Sequence, residues 1–282
     1  MEKILVTGST GKVGHALIEE LERAGEHVRA ATRNPSGFTV SSGVEPVLFD
    51  YTDPSTFEAA LEGVDRVFLM EPQPPLGAAH KIMIPFVEAA ARGMHKIVMM
   101  SSLSVEFDTQ EPLREVESAL KRSGAPFVIL RPNWFMDNFH TLWLEPMKQA
   151  GIIPLPAADS RSAFIDSRDI AAAAAAAIRG DQFNGRTFAL TGPEALGYED
   201  AASTLSKATG RTIQYVPVDD TSFIQSLVDA GLPGDYAQYV TGLFRHTRMG
   251  LAAKLSRDVE ELTRRTPRTL AQYAQDHASA WA

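Results

Sequence analysis

The chain has 282 residues, 44% of them hydrophobic and 22% charged, which suits one large α/β domain with a modest lobe or two small domains. Its formal net charge of -8 argues against a nucleic-acid or anionic-membrane partner, because both favour clustered lysine and arginine. The absence of cysteine excludes disulfides, thiolate metal sites and a cysteine nucleophile.

The chain opens with a short apolar strand candidate that ends in three glycines at three-residue spacing, Gly8, Gly11 and Gly14. Gly8 permits a tight turn, and Gly14 lets the following helix pack close to the sheet. The missing Cβ at Gly11 lets the backbone approach a pyrophosphate at the helix N-terminus, where the helix dipole favours negative charge. The pattern predicts a dinucleotide-binding loop, with a purely structural turn as the alternative.

Strand and helix patterns then alternate through the first half of the chain. Nearly continuous apolar strands separated by helices predict a parallel sheet covered on both faces. The strand candidates are Ile4–Thr7, His27–Thr32, Pro46–Phe49, Arg66–Met70, Lys96–Ser101 and Phe127–Arg131. The helix candidates are Val13–Ala24, Pro54–Leu61, Ala78–Arg92 and Leu113–Ser123.

The alternation weakens after about Asn133. We predict a Rossmann-type doubly wound parallel sheet over residues 1–132. Residues 133–282 are expected to add sheet-edge elements and a smaller, mostly helical lobe that binds substrate and packs on the core. Its strand candidates are Thr187–Leu190 and Ile213–Pro217, and its helix candidates are Arg168–Ile178, Tyr198–Ala208, Thr221–Ala230, Asp235–Phe244 and Leu270–Ala278.

Arg33, which follows the second strand, indicates which dinucleotide the chain binds. The second strand ends without the carboxylate that commonly meets a free ribose 2′-hydroxyl. An arginine there suits a 2′-phosphate, so the sequence favours NADP(H) over NAD(H), unless Arg33 only stacks on adenine or faces solvent. Lys12 either adds charge near the phosphates or is merely exposed. Asp50 either accepts a bond from the adenine amino group or makes a turn or helix cap.

Ligands of parallel sheets bind at the carboxyl ends of the strands, near the topological switch point. Residues that follow the strands are therefore the candidate cofactor contacts. The proline-rich segment 72–75 is expected to line the cofactor cleft. The candidate contacts are Thr7, Gly8, Thr10, Gly11, Lys12, Val13, Gly14, Arg33, Asp50, Met70, Glu71, Ser101, Pro132 and Asn133.

Five segments in order carry a resemblance to a known family: Gly8–Gly14, Thr32–Pro35, Phe127–Phe139, Phe164–Ala171 and Pro267–Leu270. Together they resemble the atypical, NmrA-like branch of the short-chain dehydrogenase/reductase superfamily. The resemblance implies a Rossmann fold that binds NADP(H), as a monomer or a homodimer. Members include NADPH-dependent quinone and dye reductases, aromatic ether reductases, and NADP(H)-sensing regulators without known turnover.

The acid/base pair that most enzymes of this superfamily use, Tyr-x-x-x-Lys, is missing. None of the six tyrosines has a lysine four residues later, and the stretch Asp108–Ser118 contains neither residue type. Hydride transfer can still proceed to an acceptor whose reduced form stays charged or takes its proton from water. Quinones and cationic dyes meet this condition, whereas simple ketones do so poorly.

Two side chains are candidate catalytic groups. Ser102 follows the fifth strand and is placed to hydrogen-bond an acceptor oxygen, unless it only caps the following loop. His140 has the side chain best suited to supply a proton at neutral pH, although a lone histidine is often incidental. The aromatic loop after the sixth strand is predicted to line a flat pocket, with core packing as the alternative. Its candidate substrate contacts are Trp134, Phe135, Met136, Asn138 and Phe139.

Two functions follow from these patterns. The first is an NADPH-dependent oxidoreductase acting on a conjugated small molecule such as a quinone or dye. The second is a non-catalytic NADP(H) sensor with a regulatory protein partner. We expect no metal, because the seven histidines lack ligand spacing, and no membrane span, because no apolar run approaches ~20 residues. A core strand directly after Met1-Glu2 leaves no room for a signal peptide, so a cytoplasmic location is expected.

Overall fold

The computed structural model describes residues 2–38, 43–72, 79–93 and 95–281. The chain forms two compact units. Unit 1 comprises Met1–Pro132, Ser167–Ala189 and Glu261–Thr263. Unit 2 comprises Asn133–Asp166, Leu190–Glu260 and Arg264–Ala282.

Strands and helices alternate along most of the chain. The strands are β1 (Lys3–Val6), β2 (His27–Thr32), β3 (Val44–Leu48), β4 (Arg66–Met70), β5 (Lys96–Met100), β6 (Phe127–Pro132), β7 (Ile152–Leu155), β8 (Arg161–Ser162), β9 (Arg186–Leu190), β10 (Leu196–Gly197) and β11 (Gln214–Pro217). The helices are α1 (Lys12–Arg23), α2 (Phe57–Leu61), α3 (Ala79–Arg92), α4 (Leu113–Arg122), α5 (Leu144–Ala150), α6 (Ser167–Arg179), α7 (Tyr198–Thr209), α8 (Asp220–Asp229), α9 (Gly234–Arg248), α10 (Asp258–Thr263) and α11 (Leu270–Asp276).

Unit 1 is built on a seven-stranded sheet with the order β3-β2-β1-β4-β5-β6-β9. The pairs from β3 through β6 are parallel. The strand order reverses between β1 and β4, so the topological switch point lies at their carboxyl ends. Every residue of β4 and β5 is buried, as a sheet covered on both faces requires. The predicted Rossmann-type doubly wound sheet is therefore confirmed.

The two faces of this sheet carry different helices. On one face, strand residues such as Leu5, Val67 and Ile129 pack with α2, α3 and α4 in one hydrophobic core. Helices α1 and α6 pack against each other, and α6 also contacts β4, β5 and β6. The alanine run of α6 is almost wholly buried, because small side chains allow the helix to approach the strands closely.

Unit 2 contains two small sheets, a parallel pair β7–β11 and an antiparallel pair β8–β10. Its core is rich in aromatic side chains, including Phe139, Trp143, Phe164, Tyr198 and Phe244. Sequence analysis missed β7, β8, β10, α5 and α10, because strands of two to four residues and helices of one or two turns are too short to show a period. No helix within the described ranges is both long and apolar enough to cross a membrane.

Candidate functional site

The loop between β1 and α1 places its three glycines in different surroundings. Gly8 has a φ of +64°, and a Cβ on it would lie 2.4 Å from the Met70 sulfur. A Cβ on Gly14 would lie 2.1 Å from the Gly8 carbonyl oxygen. At Gly11, the Gly8 oxygen at 3.3 Å is the single neighbour within 4 Å among the described residues. Gly8 and Gly14 are therefore closely surrounded on the inner side of the loop, whereas a Cβ on Gly11 would make a single, tight contact with the Gly8 oxygen.

The start of α1 suits an anionic group. Its N-cap is Gly11, which offers no side-chain cap, and its first turn contains no acidic residue. Thr10, Gly11 and Lys12 are exposed, while Val13 is buried beneath them. The Ser9 hydroxyl donates to the Ala31 carbonyl at 2.7 Å and so anchors the loop to β2. An anchored loop with an open helix N-terminus fits the phosphates of a dinucleotide.

A buried hydrogen-bond network fixes the ends of β1 and β4 beside this loop. The Tyr51 hydroxyl bonds with the Thr7 hydroxyl at 3.0 Å and donates to the Met70 carbonyl at 2.9 Å. The Met70 N–H donates to Thr7 Oγ1 at 3.1 Å. The side chain of Thr7 is thus committed to internal bonds, and Met70 packs under Gly8. Burial raises the pKa of Tyr51, so this tyrosine stays protonated and does not replace the missing acid/base tyrosine.

Arg33 and Asp50 follow the neighbouring strands β2 and β3. Asp50 Oδ1 accepts bonds from the backbone N–H and the hydroxyl of Thr52, each at 2.8 Å. These bonds, and then the positive charge of Arg33, lower the pKa of Asp50. Asp50 therefore makes the turn that was one of its two alternatives. Arg33 is exposed close to it, and Asn34 caps the following 3-10 turn by accepting from the Gly37 N–H at 3.2 Å.

A buried ion pair holds the ends of β5 and β6 against α4. The Ser101 hydroxyl donates to Glu117 at 2.7 Å, and the Arg131 guanidinium donates to both Glu117 oxygens at 2.9 and 2.6 Å. Burial raises the pKa of Glu117, but the bonds from Arg131 and Ser101 outweigh it and leave that pKa lowered. The hydroxyl of Ser101 is thus taken by Glu117. Sequence reasoning missed this pair, although an arginine within an otherwise apolar strand is a signal for one.

Hydrogen bonds connect Ser102 to Ser104 and Ser104 to Glu111. The Ser102 Oγ atom accepts from the Ser104 N–H at 3.2 Å, as the loop-cap alternative predicts, and lies 2.7 Å from Ser104 Oγ. The Ser104 hydroxyl donates in turn to Glu111 at 2.8 Å. Burial, and then the negative charge of Glu111, raise the pKa of Glu71 to about 7. Ser104 and Glu111 were not predicted, because two polar residues seven positions apart in a turn form no local pattern.

The raised pKa of Glu71 makes stability depend on pH. The native state holds the Glu71 proton up to about pH 7, while the unfolded chain releases it near 4.5, so stability falls as pH rises between these values. We expect Glu71→Gln to be about 2 kcal/mol more stable than the wild type at pH 8, with the gain vanishing toward pH 4.5. The expected gain is smaller than the ~3 kcal/mol that corresponds to a rise in pKa from 4.5 to about 7, because the Glu71 side chain is only partly buried.

Urea unfolding from pH 5 to 8 measures this difference. Glu58→Gln, which removes an exposed carboxylate from α2, is the matched control. Parallel stability curves for Glu71→Gln and the wild type across this range would contradict the assignment.

The aromatic loop after β6 lies in unit 2. Met136 and Phe139 are fully buried in the core of that unit, which is the core-packing alternative. The Trp134 indole N–H donates to Thr247 at 3.0 Å, and its ring stacks on Phe244 at 4.8 Å. The candidate contacts that keep exposed area are Trp134, Phe135 and Asn138.

The remaining predicted residues of this stretch are held by internal contacts. Asn133 donates from its side-chain amide to the Ala252 carbonyl at 2.7 Å. His140 Nδ1 hydrogen-bonds with the Tyr273 hydroxyl, and the His140 ring stacks on His277 with centroids 5.0 Å apart. The role of His140 as a proton donor stays a prediction. Pro132 is buried at the end of β6.

The sequence also predicted that the proline-rich segment lines the cofactor cleft and that the protein binds no metal. The part of the proline-rich segment at 73–75 lies outside the described residues, so its predicted place beside the cleft stays an expectation. Within the described ranges, no three histidine, aspartate or glutamate side chains come together in a way that could hold a metal ion.

Comparisons with known proteins find relatives that align with nearly the whole chain. The sequence model of the NmrA-like family matches residues 1–274. A (4-alkanoyl-5-oxo-2,5-dihydrofuran-3-yl)methyl phosphate reductase of Streptomyces griseus is 34% identical over 285 residues, covering 99% of each chain. Prestalk A differentiation protein A of Dictyostelium discoideum is 32% identical, covering 97% of this chain and 91% of its own.

A solved structure shows the same fold. It is an NADPH-dependent quinone oxidoreductase of Escherichia coli, complexed with NADPH. Its sequence is 25% identical, its TM-score is 0.85, and the alignment covers 97% of this chain and 99% of that one.

Proposed function

This chain belongs to the NmrA-like family, and on that premise we propose that it is an NADPH-dependent oxidoreductase that transfers hydride to a conjugated acceptor such as a quinone or dye. The observation that carries the proposal is the exposed Gly11 N-cap of α1, beside the switch point of the sheet, in front of a first helical turn that contains no acidic residue. A dinucleotide needs a glycine at position 11, because its pyrophosphate must approach the backbone closely.

The cofactor is held, in this proposal, by the glycine loop and by side chains at the neighbouring strand ends. Bound NADPH supplies the hydride. The backbone from Gly11 to Gly14 binds the phosphates, and Arg33 pairs with the 2′-phosphate of the adenosine ribose. The positive charge of the exposed Arg33 guanidinium is near enough to Asp50 to help lower the pKa of that carboxyl group.

Arg33→Ala tests the preference for NADPH. Loss of a charge-assisted bidentate pair is expected to raise the Kd for NADPH about 50-fold, which corresponds to ~2.3 kcal/mol. The Kd for NADH, which lacks the 2′-phosphate, should change less than about threefold. Calorimetric titration with both nucleotides gives the two constants, and NADH is the internal control. An equal loss for both nucleotides would overturn the 2′-phosphate assignment.

The proposed acceptor class follows from the chemistry that the chain lacks. No Tyr-x-x-x-Lys pair exists, and Tyr51 is buried in a structural network. The Streptomyces relative is named for an alkanoyl-substituted dihydrofuranone, and the Escherichia coli neighbour for quinones. Both names describe conjugated carbonyl compounds, which accept hydride readily. Ser102 is proposed to hydrogen-bond the acceptor, and substrate contacts at Trp134, Phe135 and Asn138 stay a prediction.

A second function, sensing of NADP(H) without turnover, is favoured by the absent acid/base pair. The name of the Dictyostelium relative describes differentiation rather than a reaction. NADPH oxidation with a panel of quinones and cationic dyes separates the two functions. Turnover with NADPH well above NADH supports the reductase. Tight NADPH binding without turnover of any acceptor supports the sensor, and failure to bind either nucleotide overturns both.

A further inference from the structure

We propose that Tyr51 is a positioning residue for the dinucleotide: its buried hydroxyl closes a hydrogen-bond cycle with Thr7 and the Met70 backbone, and this hydroxyl cycle sets the geometry of the glycine loop. The inference rests on the proposed function and adds to it a residue that acts on cofactor affinity through its neighbours. All three residues of the hydroxyl cycle belong to unit 1.

The cycle satisfies backbone groups of Met70 that the sheet leaves without a strand partner. The bond from the Thr7 N–H to the Phe68 carbonyl, at 3.0 Å, joins the ends of β1 and β4. Alternate residues of a strand face the same neighbour, so the N–H and C=O of Met70 face the side from which β1 has turned away. Met70 is only 7% exposed, and a buried N–H or C=O without a partner is costly. The hydroxyls of Thr7 and Tyr51 take the place of the missing strand.

The direction of each bond in the cycle follows from what each group can donate. The Met70 N–H donates to Thr7 Oγ1 at 3.1 Å, and the Met70 carbonyl accepts from the Tyr51 hydroxyl at 2.9 Å. Tyr51 has a single hydroxyl proton, so Thr7 is the donor in the 3.0 Å bond between the two hydroxyls. Each member then donates once and accepts once. Burial raises the pKa of Tyr51, so the proton that closes the cycle stays in place at neutral pH.

The Tyr51 ring is held firmly in this position. It contacts Phe49 and Phe86 edge-on, with ring centroids 4.7 and 5.8 Å apart. Tyr51 follows β3, while β2 and β1 separate β3 from β4 in the sheet. A residue that follows the edge strand therefore places its hydroxyl at the switch point between β1 and β4.

The cycle acts on the glycine loop through both of its other members. Thr7 is joined to Gly8 in the chain, and the Met70 side chain packs against Gly8, where a Cβ would clash with its sulfur. The Gly8 carbonyl in turn accepts from the Gly11 N–H at 2.9 Å, so the position of Gly8 sets the N-cap of α1. Binding groups keep their geometry only when the residues that support them are fixed. The hydroxyl of Tyr51 thereby helps to hold the N-cap that the phosphates are proposed to approach.

Tyr51→Phe removes the hydroxyl and keeps the ring. We expect the Kd for NADPH to rise about tenfold, which corresponds to ~1.4 kcal/mol. The Kd for NADH should rise by the same factor, because the loop holds the phosphates that both nucleotides share. At saturating NADPH, kcat should stay within about twofold of the wild type, since the cycle acts on binding rather than on the acceptor. Calorimetric titration gives the Kd values, and steady-state kinetics separates kcat from KM.

Thr7 offers an independent pair of variants. Thr7→Ser keeps a hydroxyl and should bind NADPH within about threefold of the wild type. Thr7→Val keeps the shape without the hydroxyl and should weaken binding as Tyr51→Phe does. Tyr215→Phe is the matched control, because it removes a tyrosine hydroxyl that donates to the Leu155 carbonyl at 3.2 Å within unit 2. It should leave both Kd values unchanged, and urea unfolding of every variant shows that binding is measured on folded protein.

Amide hydrogen exchange in the nucleotide-free protein tests the cycle itself. The Met70 N–H is protected by its bond to Thr7, so Thr7→Val should speed its exchange at least tenfold and Thr7→Ser should not. The Gly11 N–H, which bonds to Gly8, should exchange faster in Tyr51→Phe than in the wild type, because the loop that holds it is loosened.

The results separate the positioning role from the proposed function. Unchanged Kd values in folded Tyr51→Phe and Thr7→Val would overturn the positioning role and leave the proposed function intact. A loss confined to NADPH would also overturn it, because the effect would then lie at the 2′-phosphate rather than at the loop. If Tyr51→Phe did not fold, the comparison of Thr7→Ser with Thr7→Val would decide alone. A wild type that binds neither nucleotide would overturn the proposed function, and the positioning role with it.

Discussion

Gly11→Ala is expected to fold normally and to bind NADPH at least 100-fold more weakly than the wild type. Gly11 has a φ of -85°, which any residue adopts, and among the described residues its Cβ would make one tight contact, 3.3 Å from the Gly8 oxygen, which a shift of a few tenths of an ångström would relieve. The free energy of unfolding should therefore change by less than about 1 kcal/mol. The added methyl would occupy the space that the pyrophosphate needs and would cost about 3 kcal/mol of binding through lost charge-assisted hydrogen bonds.

Gly14→Ala is the matched comparison in the same loop. Its Cβ would lie 2.1 Å from the Gly8 oxygen and 2.7 Å from the Gly8 carbonyl carbon, so the backbone itself would have to move. We expect a loss of about 3 kcal/mol in the free energy of unfolding, at the upper end of overpacking effects. Gly14→Ala should thus reduce binding by damaging the fold, whereas Gly11→Ala should reduce binding alone.

Urea unfolding and calorimetric titration on both variants decide between a cofactor loop and a structural turn. If Gly11→Ala bound NADPH like the wild type, the loop would be a turn and the cofactor assignment would fail. If Gly11→Ala unfolded as readily as Gly14→Ala, the space at Gly11 would serve packing rather than a ligand.

Most of unit 1 could be predicted from the sequence because its strands are apolar, buried on both faces and separated by periodic helices. β2 and β4 were predicted to the residue, and β1, β5 and β6 within one residue at either end. β3 was predicted two residues late at its start, because Glu45 separates Val44 from the rest of the strand. In unit 2, β7 pairs with β11 across about 60 residues of sequence, a contact that no local pattern reveals.

In the candidate site, the positions that could be predicted are those fixed by the backbone at the end of a strand. The glycines and Arg33 could be placed at the strand ends because their spacing from a strand fixes their position, and their contact with a cofactor stays a prediction. Met136 and Phe139 could not be assigned, because a core and an apolar pocket use the same residue types. The Ser104–Glu111 contact depends on how a turn folds back toward α4, and the sequence shows only two polar residues seven positions apart.

Arg131→Ala is expected to lower the free energy of unfolding by about 3 to 4 kcal/mol at pH 7. Glu117 is 2% exposed and takes two hydrogen bonds from Arg131, so its carboxylate would stay buried without its main counter-charge. Removing one partner of a buried pair typically costs 3–5 kcal/mol. We take the lower part of this range because Ser101 and Lys121 still bond to Glu117.

The cost of Arg131→Ala should depend on pH in a defined direction. The pKa of Glu117 is lowered in the native protein, so its pairing stabilises above about pH 4.5 and is lost as pH falls through the native value. Urea unfolding should therefore show a smaller difference between variant and wild type near pH 4 than at pH 7.

Removing both charges is the control that separates the ion pair from simple packing. The double variant Arg131→Met with Glu117→Met leaves no buried charge and should recover at least half of the lost stability. A double variant as unstable as Arg131→Ala would show that the long side chains, rather than their charges, hold β6 against α4.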